Sequence, residues 1–423
     1  MTMLDTGLNA NELSGASPAE GRRVIHSDHY NLALVRTVLT TEQIDARSIL
    51  ETASGEVAFQ TLRERGKAEK WRGAKRWLTE AASLFGSTGL GVLEIAAVTE
   101  EGGEARVTGS HFTHGWVEKY GPPGQPVCAV AAGFIAGALA AAFDRSYRVV
   151  EVACVAQGKA GCRFRVTPLD GPVLFLEDSG TFEAAVSLPA PVPPAFDELA
   201  VVAALLDVLP SADPEGLIPA FGGTVTRLWA ELYNQISFRF EREVPAAMGN
   251  KFANLPSLVL VEAGHSCAYH TFGGIMRSEE WRQRVVPLLE TREDWLHAAI
   301  AVINTLGWGS WRVQALVPGE RATIRVYDGY EGTGYRQRFG RATGAKCYFS
   351  RGTAAALMNL LYVGDITVAP ELTPSYYNQL FRSPLSFRAA EARCRAIDDP
   401  HCELIVNPLS AGLTTKLLAM AKK

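Results

Sequence analysis

The spacing of cysteine residues constrains the fold of this 423-residue chain more than any other sequence feature. Six of its seven cysteines form two copies of one pattern, in which a lone cysteine is followed by Glu-x-x-Cys-x7-Cys. A glycine follows the lone cysteine five residues later in both copies. This agreement indicates an internal duplication. The two copies are Cys128, Glu151, Cys154 and Cys162, and Cys347, Glu391, Cys394 and Cys402.

Three cysteine thiolates and one carboxylate are a ligand set that suits tetrahedral zinc. Each lone cysteine opens a helix-like run, and the partial positive charge of a helix N-terminus stabilises a thiolate. Because the protein supplies all four ligands, no position is left for a water molecule. The pattern therefore predicts two structural Zn²⁺ ions per chain and no catalytic metal. The alternative is that each copy holds three buried, protonated thiols and a surface glutamate.

The second copy is longer than the first. Its lone cysteine and its glutamate are 44 residues apart, against 23 in the first copy. We expect the additional residues, around 364–384, to form an excursion on the surface. His401, next to Cys402, is a further candidate ligand, but its counterpart in the first copy is Gly161, so we rank Glu391 above it.

Hydrophobic spacing predicts the same order of helices and strands in both halves of the chain. In the first half the expected elements are helices within 31–62 and at 74–85, a hairpin at 90–98 and 105–112, a helix rich in alanine and glycine at 126–143, and strands at 147–155 and 162–167. In the second half they are helices at 196–208, 224–240 and 293–306, a hairpin at 310–317 and 322–330, a helix at 347–362, and strands at 387–395 and 402–406. The predicted fold class is α+β, with two tandem domains that each pack an antiparallel sheet with helices.

A proline-rich stretch at 187–195 predicts a semi-rigid linker between the domains. We divide the chain into a mobile N-terminal tail (1–28), a first domain (29–170), the linker (171–197), a second domain (198–410) and a C-terminal tail (411–423). A net charge of -4 without a long basic run argues against binding to nucleic acid or to an anionic membrane. The sequence shows neither a spanning segment nor a signal peptide, so we expect a cytoplasmic protein.

The run from Cys128 through Gly133, Glu151, Cys154 and Cys162 resembles the 4-vinyl reductase domain. The resemblance covers about residues 29–168 and extends more loosely over 198–407. This domain is also the sensor of phenol- and xylene-responsive NtrC-type activators, and it belongs to the same broad fold group as haem-NO-binding domains and TRAPP tethering subunits. The resemblance implies two tandem copies of this fold, each with a structural zinc on its Cys, Glu, Cys and Cys set. Sensor domains of this family also pair, so we expect a homodimer or a pair of domains within one chain.

The resemblance also implies a ligand site in the first domain, at His111, His114 and Trp116. Family sensors hold a small aromatic ligand there, with a tryptophan as a flat apolar wall and a histidine as a hydrogen-bond partner. The small residues at 126–143 predict open space beside that helix, whereas the second domain carries bulky groups such as Tyr348 and Phe349 at the corresponding place. The alternative is that these histidines and this tryptophan are ordinary core or rim residues.

The seventh cysteine, Cys267, lies close in sequence to His265 and His270. A cysteine nucleophile needs a base within hydrogen-bond reach, and Cys267 with His270 meets that condition if the segment is helical. The sequence identifies no acid partner for such a pair. We therefore favour a buried thiol over a catalytic one.

The sequence contains no phosphate-binding loop, no dinucleotide-binding motif after a strand and no evident helix-turn-helix. Our hypothesis is a cytoplasmic, zinc-containing regulatory module without an output domain, which binds a small apolar or aromatic ligand, a protein partner, or both. A non-enzymatic role is favoured. Two alternatives stay open: an enzyme or carrier of the tetrapyrrole pathway, and a scaffold or assembly protein analogous to the TRAPP-type tethering subunits.

Overall fold

The computed structural model describes residues 21–173, 175, 197–206 and 211–409, which divide into two compact units. The first unit contains 21–173, 175 and 211–256, and the second contains 197–206 and 257–409. Residues 1–20 of the predicted N-terminal tail, most of the predicted linker and the whole predicted C-terminal tail lie outside the described residues.

The first unit is built around an antiparallel sheet that confirms the predicted hairpins and the alanine-rich helix. Its elements up to residue 168 are β1 (Arg23–Ser27), α1 (Asp28–Leu39), α2 (Ala46–Ala68), α3 (Ala74–Ser87), β2 (Val92–Glu94), β3 (Gly103–Thr108), α4 (Trp116–Tyr120), α5 (Ala129–Phe143), β4 (Tyr147–Ala153) and β5 (Cys162–Pro168). The strand order is β2-β3-β5-β4. Side chains alternate along each strand, so one face, with Val149, Phe164 and Val166, is buried and the other face is exposed.

Residues beyond the predicted linker complete the first unit, and the sequence analysis did not foresee this. After helix α6 (Glu198–Leu206), which belongs to the second unit, the chain forms β6 (Ile218–Ala220), β7 (Gly223–Trp229) and α7 (Ala230–Met248) within the first. Strand β7 pairs antiparallel with β1, from Arg23 opposite Trp229 to Ser27 opposite Val225.

This pairing changes three expectations. Residues 23–27 of the predicted mobile tail form a strand that is buried along its whole length. The predicted helix at 224–240 begins as strand β7, because that part of it pairs with β1 and with β6. Residues 211–256 belong to the first unit, whereas we had placed them in the second domain. The Arg23 guanidinium lies 3.7 Å from the centre of the Trp229 ring, a cation–π contact that holds the two strands together.

The second unit repeats the same sheet. Its elements are α8 (Leu255–Arg277), which begins at the unit boundary, α9 (Glu279–Arg284), α10 (Arg292–Thr305), β8 (Trp311–Val317), β9 (Arg321–Val326), α11 (Tyr330–Phe339), α12 (Tyr348–Met358), α13 (Pro374–Arg382), β10 (Phe387–Arg393) and β11 (Cys402–Pro408). The strand order is β8-β9-β11-β10, which is the order of the first sheet. The duplication seen in the cysteine spacing therefore recurs in the strand topology.

Glycine allows an equally close helix contact in each unit. A Cβ atom at Gly133 of α5 would overlap the carbonyl oxygen of Glu51 in α2, and one at Gly352 of α12 would overlap that of Val261 in α8. These are the glycines that follow the lone cysteines by five residues. The space that small residues leave beside α5 is therefore filled by α2, where we had expected room for a ligand.

The insertion at 364–384 is not a mere surface excursion, so that prediction was wrong. It contains α13, in which Leu380 and Phe381 are buried. The Tyr377 and Phe381 rings stack with their centres 4.2 Å apart, and Tyr269 of α8 meets Tyr377 edge to face. Aromatic side chains that the sequence places at helical spacing thus anchor the insertion on α8.

We expect the Gly133→Ala variant to be destabilised by about 1–3 kcal/mol, because an added methyl group forces α2 and α5 apart. Chemical unfolding of the full chain measures this difference. Gly124→Ala is the matched control, since a Cβ at Gly124 meets no atom within 4 Å. Equal stability of the two variants would contradict the close-packing account.

Candidate metal centres

The structure brings the four predicted ligands of the first copy together. Cys128 stands at the N-terminus of α5, Glu151 lies on β4, Cys154 follows β4 and Cys162 begins β5. A bulge between Glu151 and Ala153 interrupts the β4–β5 register beside them. As a result one carboxylate oxygen and three sulfur atoms, all from buried residues, lie within 4.8 Å of one another.

The second copy has the same arrangement. Cys347 precedes α12, Glu391 lies on β10 before an equivalent bulge, Cys394 follows β10 and Cys402 begins β11. Its four ligand atoms also lie within 4.8 Å of one another. The fourth group is Glu391, as predicted, while the nearby His401 instead lies 3.8 Å from the Glu403 carboxylate.

The two glutamates leave one oxygen without a hydrogen bond. The Oε2 atoms of Glu151 and Glu391 accept hydrogen bonds from the backbone N–H groups of Cys128 and Cys347, at 2.8 and 3.0 Å. Their Oε1 atoms are buried and have no hydrogen-bond partner among the described residues. Burial raises the pKa of Glu151 to about 8 and that of Glu391 to about 9. A carboxylate in such surroundings needs either a proton or a cation.

The thiols share their protons unequally. Hydrogen bonds from Cys128 and Cys162 lower the pKa of Cys154 far below its usual value, and Cys347 and Cys402 do the same to Cys394. Without a cation, each cluster therefore favours a single thiolate held by its two neighbours. A metal ion displaces thiol protons and binds the sulfurs as anions, so this donor set could hold one in each unit.

Glu331 supports the second cluster, and the sequence analysis missed it. It is buried, and its carboxylate accepts hydrogen bonds from the backbone N–H groups of Phe349 and Ser350, at 2.8 and 2.9 Å, and from the Ser350 hydroxyl. These donors belong to the first turn of α12, directly after Cys347. Burial raises the pKa of Glu331 to about 7, although the hydrogen bonds act in the opposite direction. Repeat spacing gave no signal for it, because the equivalent residue in the first copy is Phe112.

The three predicted ligand-binding residues lie in different environments. His111 and Trp116 are buried, whereas His114 is exposed. The Nε2 atom of His111 accepts a hydrogen bond from Asn31 at 2.9 Å, which leaves Nδ1 to donate to Thr224 at 3.3 Å. Burial lowers the pKa of His111 to about 4, so its ring is neutral near pH 7. His111 is thus already fully hydrogen-bonded inside the first unit.

A cleft of about 710 Å³ lies elsewhere in the first unit, between α3 and the β2–β3 hairpin. Leu78, Leu93 and Ile95 form its apolar floor, and Glu104 and Arg106 lie at its edge. The sequence analysis did not anticipate this cleft, since its walls come from a helix and a hairpin that carry no motif.

The structure places Cys267 inside α8 with its side chain fully buried. Its sulfur lies 3.7 Å from the Thr271 hydroxyl. His265 is turned toward Asn359, with 3.0 Å between their nitrogens. This arrangement agrees with the expected buried thiol. Separately, none of the helices within the described part of the chain has the length and apolar character needed to cross a membrane.

A family model for the 4-vinyl reductase domain matches residues 116–168, the span from α4 to β5 that carries the whole first cluster. This match confirms the resemblance for that span. Among solved structures, the phenol-responsive sensory domain of the transcription activator PoxR, crystallised with phenol, is similar at 18% identity and a TM-score of 0.35. The alignment covers 50% of this chain and 89% of that one. No curated protein matches the chain.

Replacing Glu331 with glutamine should destabilise the full chain by about 1–3 kcal/mol, because an amide cannot accept all of the buried hydrogen bonds that the carboxylate accepts. Urea unfolding measures the loss. Glu320→Gln, at an exposed turn position, is the control and should change stability by less than about 0.5 kcal/mol. If the two variants unfold at the same urea concentration, Glu331 does not stabilise the start of α12.

Proposed function

We propose that this chain is a zinc-containing regulatory module with two units of the 4-vinyl reductase type, which binds a small apolar molecule in its first unit. The observation that carries the proposal is the cluster of three cysteines and one glutamate, present once in each unit with the same placement on helix and hairpin. The family match over residues 116–168 supports the assignment of the first copy. Because protein groups complete the donor set, each zinc has a structural role.

The sulfur positions support zinc. With zinc–sulfur distances of about 2.3 Å, a tetrahedral ion separates two sulfur ligands by about 3.8 Å. The sulfurs of Cys128 and Cys162 are 3.7 Å apart, and those of Cys347 and Cys394 are 3.9 Å apart. Soft thiolate ligands in a tetrahedral set also favour zinc over magnesium or calcium. Bound zinc ties the start of a helix to a β-hairpin, so its binding energy adds to the stability of the unit.

The cleft between α3 and the β2–β3 hairpin supports a small apolar ligand. Its volume of about 710 Å³ is in the range of small-molecule sites, and its floor is aliphatic. Arg106 and Glu104 at its edge provide polar partners for one end of a ligand. We therefore assign the ligand site to this cleft in preference to the segment with His111, His114 and Trp116.

Elemental analysis of the full chain, purified without chelator, should find two zinc ions per chain. The Cys154→Ala variant should keep one ion and lose several kcal/mol of stability, because a structural metal contributes its binding energy to folding. Cys267→Ala is the matched control, since it also removes a buried thiol but should keep both ions. Absence of metal from the wild-type chain, or equal zinc content in the two variants, would refute the structural zinc sites.

Small apolar and aromatic compounds should raise the melting temperature of the full chain. Mass action gives about 2.7 kcal/mol of stabilisation at a hundredfold excess over the dissociation constant. The Ala82→Phe variant, which fills the cleft, should lose this response, because Ala82 lines the cleft. His114→Ala should retain it.

The opposite pattern, a response lost in His114→Ala and kept in Ala82→Phe, would return the ligand site to the segment at 111–116. If no compound in a broad library shifts the melting temperature, the ligand-binding role is wrong.

A further inference from the structure

The exposed face of the first sheet carries an unusual set of side chains. Strands β3, β4 and β5 alternate buried and exposed residues, and four arginines but only one glutamate point outward. Val150 and Val152 of the edge strand β4 are also exposed, by 46% and 37%. We call this surface the outer sheet face; its residues are Glu104, Arg106, Arg148, Val150, Val152, Arg163 and Arg165.

Two of these arginines stand directly opposite each other. Arg106 on β3 pairs in register with Arg163 on β5, and like charges at such positions destabilise a sheet. Glu104 lies between them, 3.0 Å from Arg106 and 3.4 Å from Arg163. One carboxylate therefore serves two guanidinium groups, and the face keeps an excess of positive charge.

The second unit solves the same position differently. There Arg325 on β9 pairs in register with Glu403 on β11, and their side chains form an ion pair at 2.8 Å. By their spacing from the cluster cysteines, Arg325 and Glu403 correspond to Arg106 and Arg163. The same sheet can thus neutralise itself at this position, and the first unit does not. The cationic excess is specific to the first unit and costs it stability.

The chemistry of the outer sheet face selects the kind of partner. Its described outward residues include no aromatic side chain, so it offers no platform on which nucleic-acid bases could stack. Arginine binds carboxylates through paired hydrogen bonds, and the exposed valines offer apolar contact. Among the described strands β4 has one neighbour, β5, so its other edge can accept a further strand.

We propose that the outer sheet face binds an acidic, extended segment of a partner protein. Its carboxylates pair with the arginines of the face, and its apolar side chains cover Val150 and Val152. The site is distinct from the cleft proposed for the small ligand, so it provides a route by which the module acts through contact with another protein.

A labelled synthetic peptide of alternating glutamate and valine tests this, with binding to the full chain followed by fluorescence anisotropy. Arg165→Glu should weaken binding by at least tenfold. Arg242→Glu on α7 is the control, because it makes the same charge change at a side chain that is 65% exposed and lies outside the face, and it should change binding less than twofold. Arg163→Glu copies the Arg325–Glu403 pair, so it should weaken peptide binding while raising the melting temperature.

Three results would overturn the proposal. The first is no binding of the peptide by the wild-type chain, and the second is an equal effect of Arg165→Glu and Arg242→Glu. The third is stronger, Arg165-dependent binding of a single-stranded DNA oligonucleotide or of phosphatidylserine vesicles than of the peptide, which would assign the face to nucleic acid or lipid. Ala82→Phe should leave peptide binding intact, so failure of the small-ligand site and failure of this site can be told apart.

Discussion

Four acidic side chains that lie within 4.8 Å of one another and largely out of water cannot all keep their negative charge unless a cation joins them, and this constraint organises both units. It requires a helix to start beside a β-hairpin, because the lone cysteine comes from the helix and the other ligands come from the hairpin. Gly133 and Gly352 lie just over one turn beyond those cysteines and allow α2 and α8 to pack closely at the same place. The cluster thus sets where helix and sheet meet, and the glycines set how close the next helix lies.

The parts of the structure that depend on local spacing were predictable from the sequence. Glu151, Cys154 and Cys162 lie on one hairpin, so their order along the chain is enough to bring them together. The pairing of β1 with β7 joins residues about two hundred positions apart, and no local pattern marks it. The burial of His111 follows from that pairing, because Thr224 comes from β7. Glu331 escaped notice since a carboxylate that caps a helix from another element has no fixed sequence spacing.

The two units share a frame and differ in the charges placed on it. At the start of the ligand-bearing helix the first unit has Phe112 where the second has Glu331, so only the second uses a buried carboxylate there. On the outer sheet the first unit has Arg163 where the second has the ion-paired Glu403. Frame residues and surface charges can therefore change independently, which lets one fold carry different binding surfaces within a single chain.

The pairing of β1 with β7 also affects how the protein is made. Residues 23–27 leave the ribosome first, but their partner strand follows about two hundred residues later. At about 5–20 residues per second, this strand waits roughly 10–40 s for its partner. Until then its backbone groups and side chains such as Val24 and Ile25, which end up buried, stay accessible to other chains. Translation speed and chaperone access during this interval thus influence how much of the nascent protein reaches the folded state.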